Sequence, residues 1–142
     1  MQRKTIRILV ALALENGWEM SQVDVFGAYL NSTLTEDVFM EQPPEFFELD
    51  GREYVCRLGK SINGLKQSGK NWYDHFRAIM ESLGFEGWVL EPGVFFKDGI
   101  IVGTYRYVDL SCIGGVEEVD EFKVALAKCV EMKDLGEAIY TN

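Results

Sequence analysis

Two aspartates, each inside an apolar run typical of a β-strand, constrain the fold of this chain more than any other feature. Asp109 lies in TYRYVDLSCIGG, residues 104–115, which is typical of two half-strands meeting at a tight turn. Asp24 lies in QVDVFGAYL, residues 22–30. A carboxylate in an apolar setting is unfavourable unless water, a cation or a partner solvates it. We therefore expect the fold to bring Asp24 and Asp109 to a shared cation; the alternative is two solvated turn or edge carboxylates.

Length and composition predict one folded domain, residues 1–142, because 47% of the residues are apolar and the chain is long enough for a hydrophobic core. No apolar run approaches the ~20 residues of a membrane span, and nothing at the N-terminus resembles a signal peptide. The cysteines, Cys56, Cys112 and Cys129, have no CxxC spacing. We expect an intracellular protein with reduced, buried thiols and neither a disulfide framework nor a zinc site.

The charge balance disfavours binding to nucleic acid. Lys and Arg total 14 against 23 Asp and Glu, which gives a net charge of -9. Proteins that grip a nucleic acid normally present clustered Lys and Arg to release its counterions. A modest basic cluster, Lys60, Lys66 and Lys70, is interleaved with Trp72 and Tyr73. It fits either a strip that faces nucleic acid or the solvated polar edge of a helix.

Apolar residues at helical spacing predict three helices. The first spans residues 5–16 and ends at Gly17. The second has the strongest apolar face; Ser68 is expected to cap it, and it ends at Gly84. The third starts with four acidic residues, Glu117, Glu118, Asp120 and Glu121, which suit the positive end of a helix dipole.

Strand-like stretches account for most of the remaining chain. In residues 20–30, Val23 and Val25 fall on one face of the strand and Asp24 on the other. Asp98-Gly99 is the strongest hairpin signal. The other predicted strands are 39–40, 54–58, 93–97, 100–105 and, as a possible last strand, 138–141. This order predicts an α+β fold in which helices pack on one face of an antiparallel sheet.

The sequence resembles a known family, the reverse transcriptases of copia-type retrotransposons. The resemblance covers nearly the whole chain and implies a palm-like antiparallel sheet, RNA-directed DNA polymerase ancestry and the use of Mg²⁺ or Mn²⁺. The segments that carry it are TIRILVALALENGWEMSQVDVFGAYLN, VFMEQPPEF, VCRLGKSINGLKQSGKNWY, SLGF, YRYVDL and EMKDLGE.

The resemblance assigns roles to five residues. Asp24 and Asp109 would be the two metal-binding carboxylates. Tyr29 would lie under the nucleotide sugar, and a core aromatic is the alternative. Gln67 would lie near the incoming nucleotide, and Lys133 falls in a region that can offer a proton to pyrophosphate. For Gln67 and Lys133 the alternative is an ordinary surface residue.

Three departures from the family pattern argue against polymerase activity. Leu110 stands where the family has the second Asp of Tyr-Val-Asp-Asp, which removes a ligand and is expected to place apolar surface where a hydrated cation should sit. On that basis, Leu110→Asp is expected to raise Mn²⁺ binding. Phe26-Gly27 replaces Lys-Thr, and residues 68–70 replace Ala-Pro-Arg.

The resemblance also implies that most of the fingers, the thumb and the ribonuclease H region lie outside these residues. We expect a retrotransposon-derived domain without polymerase activity that acts as a binding or interaction module. Its expected partner is another protein or a second copy, because a free palm exposes apolar area. The alternative is a fragment or subunit of an RNA-directed DNA polymerase that uses two-metal phosphoryl transfer.

Overall fold

The computed structural model describes residues 1–46, 54–105 and 109–138. Within these residues the chain forms three α-helices, eight strands and two short 3-10 helices. The helices and strands are α1 Arg3–Asn16, β1 Glu19–Val25, β2 Phe39–Glu41, β3 Val55–Arg57, α2 Ser68–Ser82, β4 Glu86–Gly87, β5 Val94–Lys97, β6 Ile100–Tyr105, β7 Asp109–Gly114, α3 Val116–Ala127 and β8 Met132–Glu137. No helix in this described part is both long and apolar enough to cross a membrane.

Six strands form one antiparallel sheet in the order β4-β5-β6-β7-β1-β8. Strands β2 and β3 pair separately as a two-stranded ribbon. The predicted α+β class with an antiparallel sheet is therefore confirmed. The hairpin around Asp98-Gly99 is confirmed as β5 and β6, which pair from Val94↔Gly103 to Lys97↔Ile100.

Helices cover both faces of the large sheet. On one face, α2 and α3 bury a core that includes Trp72, Phe76 and Leu126 against Val102 and Cys112 of the strands. On the other face, the α1 residues Leu9 and Ala13 pack against Ile113, with Met20 and Ile101 partly buried beside them. The helix α1 thus departs from the expectation that all helices share one face. Neighbouring strand residues point to opposite faces, and β1, β6 and β7 carry apolar side chains on both.

Two predicted strands differ from the structure by more than one residue at an end. The strand predicted over residues 20–30 ends at Val25, because Gly27 takes a left-handed conformation with φ of 53° and the chain turns into the 3-10 helix Ala28–Asn31. The final strand is β8, Met132–Glu137, and Ala138 lies beyond it. Residues 139–141 of the strand predicted over 138–141 lie outside the described residues.

The cysteines also differ from the expectation that all three are buried. Cys112 is buried under the α2 and α3 face, Cys56 is half-buried and Cys129 is exposed; all three are free thiols. Burial raises the pKa of the Cys112 thiol to about 12. Cys112 is therefore protonated at neutral pH and behaves as a small core residue.

Candidate functional site

Four side chains form a row across four adjacent strands at one end of the large sheet. Tyr105 pairs with Asp109, Asp109 with Asp24, and Asp24 with Lys133. Residues directly opposite each other in an antiparallel sheet project from the same face, with Cβ atoms ~4.5–5.5 Å apart. The structure therefore brings together three of the five predicted residues: Asp24, Asp109 and Lys133. We call Tyr105, Asp109, Asp24 and Lys133 the acid row.

Core packing determines the side of the sheet on which the acid row lies. Val23 and Val25 are buried on the α2 and α3 face, so Asp24 between them projects to the opposite face, which α1 partly covers. Leu110 is buried on the α2 and α3 face, and Asp109 next to it is exposed. A slip of one residue between β1 and β7 would move the carboxylates into the core, so the apolar residues enforce this register.

Two opposed carboxylates on neighbouring strands repel each other unless a cation lies near them. Lys133 supplies one positive charge on the β8 side of Asp24. Asp24 is half-buried, whereas Asp109 and Lys133 are exposed. The acid row thus holds a carboxylate pair that is open to solvent and favours a cation.

A β-bulge in β8 sets the position of Lys133. The pairing of β1 with β8 shifts between Gln22 and Val23, so that Gln22 faces Gly136 and Val23 faces Asp134. Asp134 lies on the α3 side, where its Oδ2 is 3.0 Å from the Lys123 Nζ. The Gly136 N–H, followed by Lys123, holds the pKa of Asp134 below its usual value. These contacts fix Asp134 on one face and leave Lys133 on the acid-row face.

A pocket of about 590 Å³ opens beside Asp24 and contains Tyr29 in its wall. It is bounded by residues 24–30 and by Ile62 and Asn63 of the loop before α2. Tyr29 is half-buried and also packs against the main core. The side chain therefore lines the pocket and also packs against the core, and its role under a nucleotide sugar stays a prediction.

Gln67 lies outside both the acid row and this pocket. It precedes α2, and its carbonyl accepts the Asn71 N–H at 2.9 Å. Ser68 does not cap α2 as predicted, because its hydroxyl donates to the Ile62 carbonyl at 2.6 Å. That bond anchors the pocket loop to α2. The nucleotide-binding role of Gln67 stays a prediction.

Leu110 overturns one physical expectation. Its side chain is 1% exposed and lies in the core against α2 and α3, facing away from Asp109. The expectation that its isobutyl group occupies the cation position is wrong, because neighbouring residues in a strand point to opposite faces. The expected gain of Mn²⁺ binding in Leu110→Asp loses its basis as well, since the new carboxylate would enter the core.

The lysine cluster before and within α2 fits the solvated edge of a helix. Trp72 is fully buried in the core, so its ring does not lie among the lysines. Lys70 is exposed, and its Nζ lies 3.9 Å from Asp74 one turn along the helix. Of the two interpretations of this cluster, the structure favours the polar helix edge.

A groove beside α1 is the part of the site that the sequence pattern did not predict. It has a volume of about 360 Å³ and lies between the helix and the acid row. Ile6 of α1 lines it together with Gln22, Tyr105, Asp109 and Leu135. The sequence signal was the apolar set Met20, Ile101 and Ile113 on the acid-row face, which requires a cover.

The carboxylate pair has the composition of an open divalent-cation site. Among the described residues, no group of three or more His, Cys, Asp or Glu side chains could hold a metal ion. Mg²⁺ often binds through one or two carboxylates and completes its shell with water and substrate phosphates. Asp24 and Asp109 fit this kind of site better than a cage built entirely from protein ligands.

The chain is similar in sequence to reverse transcriptases over almost its full length. A family model described as "Reverse transcriptase (RNA-dependent DNA polymerase)" matches residues 1–140. The Retrovirus-related Pol polyprotein from transposon RE2 of Arabidopsis thaliana is 38% identical over 117 residues, which cover 81% of this chain and 8% of the relative. The corresponding polyprotein from transposon TNT 1-94 of Nicotiana tabacum is 37% identical over 140 residues, 94% of this chain and 10% of the relative.

The match to a yeast relative covers a larger share of that relative's length. The Putative transposon Ty5-1 protein of Saccharomyces cerevisiae is 34% identical over 118 residues, which cover 80% of this chain and 38% of that protein. This chain therefore spans a tenth or less of the two plant polyproteins and well under half of the yeast protein.

Proposed function

Because the chain belongs to the reverse transcriptase (RNA-dependent DNA polymerase) family and is the reverse transcriptase region of a copia-type retrotransposon Pol, we propose that it is a palm domain without polymerase activity of its own. In this proposal it binds a divalent cation, Mg²⁺ or Mn²⁺, together with a phosphate-bearing ligand, and acts as a binding module. The observation that supports it most directly is the opposition of Asp24 and Asp109 across β1 and β7, with Leu110 buried behind them.

Each residue of the acid row has a part in this binding. Asp24 and Asp109 supply the carboxylate oxygens that a hard cation prefers. These two carboxylates would hold the cation, which would supply positive charge to offset their mutual repulsion and the charge of a phosphate. Lys133, beside Asp24, donates hydrogen bonds to the same phosphate. Tyr29 packs its ring below a ligand that enters the 590 Å³ pocket.

The donor set is too small for two-metal catalysis within the described residues. Two ions that activate the attacking oxygen and stabilise the leaving oxygen need ligands for both. Asp24 and Asp109 are two carboxylates, and Leu110 adds none because it is apolar and faces the core. The lost charge stabilisation is expected to raise the barrier to phosphoryl transfer by several kcal/mol.

Two measurements test the proposal. Calorimetric titration with Mn²⁺ and a deoxynucleoside triphosphate is expected to show binding that Asp24→Asn weakens at least about tenfold. Asp120→Asn is the matched control, because it removes the same charge from an exposed aspartate of α3, on the other side of the sheet. Extension of a primed template with Mg²⁺ or Mn²⁺ is expected to give no product. Equal Mn²⁺ binding in the two variants would overturn the cation site.

The second candidate function is that of a polymerase fragment or subunit. The pocket beside Asp24 favours it, since 590 Å³ falls within the size range of small-molecule sites. Primer extension that Asp24→Asn abolishes and Asp120→Asn leaves intact would select this candidate. Extension only after addition of a second chain would identify a subunit that another protein completes.

We also propose a protein interface, either with a second copy or with another chain, on the side of α1 away from the acid row. An apolar groove of about 350 Å³ lies there, lined by Ile8 and Leu12 of α1 with Trp88 and Phe96. These four side chains are all substantially exposed. Sedimentation velocity at micromolar concentration tests self-association. A monomer at every concentration would remove the second copy from the proposal.

A further inference from the structure

The two most exposed large apolar side chains in the described part of the chain are neighbours in the turn between β4 and β5. Val89 is 88% exposed and Leu90 is 81% exposed. We call these two residues the tip. Exposed apolar side chains that stand singly are ordinary on a protein surface, but two adjacent ones in a turn form an apolar protrusion. The tip therefore favours a partner that covers it.

Hydrogen bonds hold the tip in one position. The Glu91 N–H donates to the Trp88 carbonyl at 3.2 Å and closes the turn, and the Trp88 N–H donates to the Val94 carbonyl at 2.8 Å. The Tyr73 hydroxyl of α2 donates to the Pro92 carbonyl at 2.8 Å. Because the protrusion is already ordered, covering it costs little conformational entropy.

The turn is also tied to α1, so that the tip and the apolar groove beside this helix form one unit. The Glu91 side chain accepts the Thr5 hydroxyl at 2.8 Å and the Gln2 N–H at 3.2 Å. Thr5 and Trp88 both line the apolar groove of about 350 Å³. The tip directly follows Trp88 in the chain. The protrusion and the groove are therefore neighbours on one surface.

The apolar groove has the same chemistry as the tip. Apart from Thr5 its lining is apolar, and it includes Ile8, Leu12, Trp88 and Phe96. Such a wall is stabilised by burying aliphatic side chains and disfavours charged ones. The exposed parts of these four apolar side chains and of the tip leave on the order of several hundred square ångström, which approaches the ~800 Å² per partner of a standard interface.

We propose that two copies of this chain form a twofold dimer in which the tip of each copy enters the apolar groove of the other. This rests on the interface proposed beside α1 and commits it to a second copy. The tip does not fill the groove of its own copy, since both of its side chains are exposed. Twofold symmetry repeats every contact, so one protrusion next to one groove gives two identical contacts. A different chain would need its own protrusion and its own groove in the same arrangement.

Sedimentation velocity over a micromolar concentration series tests the dimer. The wild type is expected to shift from monomer to dimer. The tip variant, Val89→Ser/Leu90→Ser, is expected to raise the dissociation constant at least about hundredfold, because each copy loses two apolar side chains from the interface. The matched control is Leu14→Ser/Val124→Ser, which removes the same two residue types from exposed positions outside the tip and the groove. It is expected to dimerise like the wild type.

Mixing two defective variants tests whether the contact is reciprocal. The groove variant, Ile8→Glu, places a charge in the groove wall at a side chain that is 59% exposed, so it is expected to fold and to remain a monomer. In the mixture, the intact tip of the groove variant meets the intact groove of the tip variant, which restores one of the two contacts. Energy transfer between labelled copies is expected to show a heterodimer that is weaker than the wild-type dimer and tighter than either variant alone.

The outcomes separate the dimer from the proposed cation site. Equal weakening in the tip variant and in its matched control would overturn the dimer contact, because general apolar adhesion would then explain association. The absence of a heterodimer in the mixture would overturn the reciprocal arrangement. A wild type that stays monomeric while it binds Mn²⁺ would overturn the second copy and leave the cation site standing. A wild type that dimerises without binding Mn²⁺ would overturn the cation site and support the dimer.

Discussion

The two faces of the large sheet are built from the same strands and meet opposite requirements. The face under α2 and α3 is apolar and buried, with Trp72, Phe95 and Leu110 almost fully buried. The face that α1 partly covers carries Asp24, Asp109 and Lys133 in one row. Asp109 and Leu110 are neighbours in sequence and belong to different faces. A residue's position in a motif therefore does not establish which surroundings its side chain has.

The largest expected effect comes from placing a carboxylate, which belongs on the acid-row face, at Leu110 in the core. Leu110→Asp buries a carboxylate at a position that is 1% exposed, which is expected to cost at least about 3 kcal/mol of unfolding free energy. Leu110→Met, the volume-matched control, is expected to cost under about 1.5 kcal/mol. Urea unfolding measures both. Wild-type stability in Leu110→Asp would mean that this side chain reaches solvent.

A substitution at Gly27 tests the geometry of the turn that separates the acid row from Tyr29. The backbone of Gly27 has a φ of 53°, a left-handed conformation in which a residue with a Cβ is strained. Gly27→Ala is therefore expected to lower the unfolding free energy by about 1–2 kcal/mol. Gly69→Ala in α2 is the control, because a Cβ at Gly69 meets no atom within 4 Å. It is expected to raise the unfolding free energy by at most about 1 kcal/mol. Chemical unfolding of the pair decides. Equal effects of the same sign would contradict the turn geometry.

On the acid-row face, a substitution is expected to raise the unfolding free energy by a smaller amount. Without divalent cations, Asp109→Asn removes the repulsion with Asp24 and is expected to stabilise by about 0.2–1 kcal/mol at low ionic strength. The same change is expected to abolish the stabilisation that Mn²⁺ gives the wild type. Thermal unfolding with and without Mn²⁺ measures both effects. Destabilisation by Asp109→Asn in the absence of metal would show that the two carboxylates do not face each other.

Asp134, on the α3 side, gives the smallest effect. Its folded pKa is lowered, mainly by the Gly136 N–H, so its contribution to stability is present above the unfolded carboxyl pKa and is lost as pH falls through the folded value. Asp134→Asn is expected to lose less unfolding free energy than the wild type between about pH 5 and pH 2. Asp120→Asn serves as the control. Identical acid profiles for the wild type and Asp134→Asn would exclude the contribution.

Local patterns predicted most of the elements. The hairpin around Asp98-Gly99 and the apolar stripe of α2 are short-range signals, and both appear in the structure. Strand β8 was missed because MKDLGE is polar and contains Gly136, and its partner is distant in sequence. The periodicity of α1 indicates which side of the helix is apolar but carries no information on which face of the sheet it covers.

The candidate site was partly predictable, for two different reasons. The resemblance to a family pointed to Asp24, Asp109 and Lys133, and the structure places them side by side. The position of Lys133 opposite Asp24 depends on the β-bulge at Gln22 and Val23, which no local pattern encodes. The orientation of Leu110, by contrast, follows from the two-residue period of a strand, so its burial was available from the sequence.

The central claim is that Asp24 and Asp109 hold one cation jointly, and a double-mutant cycle of Mn²⁺ affinity tests it most directly. Electron paramagnetic resonance of free Mn²⁺ gives the affinity of the wild type, Asp24→Asn, Asp109→Asn and the double variant. A shared site predicts that each single change removes most of the affinity and that the second change adds little. Losses that are independent and add in the double variant, or affinity that neither change affects, would contradict the claim.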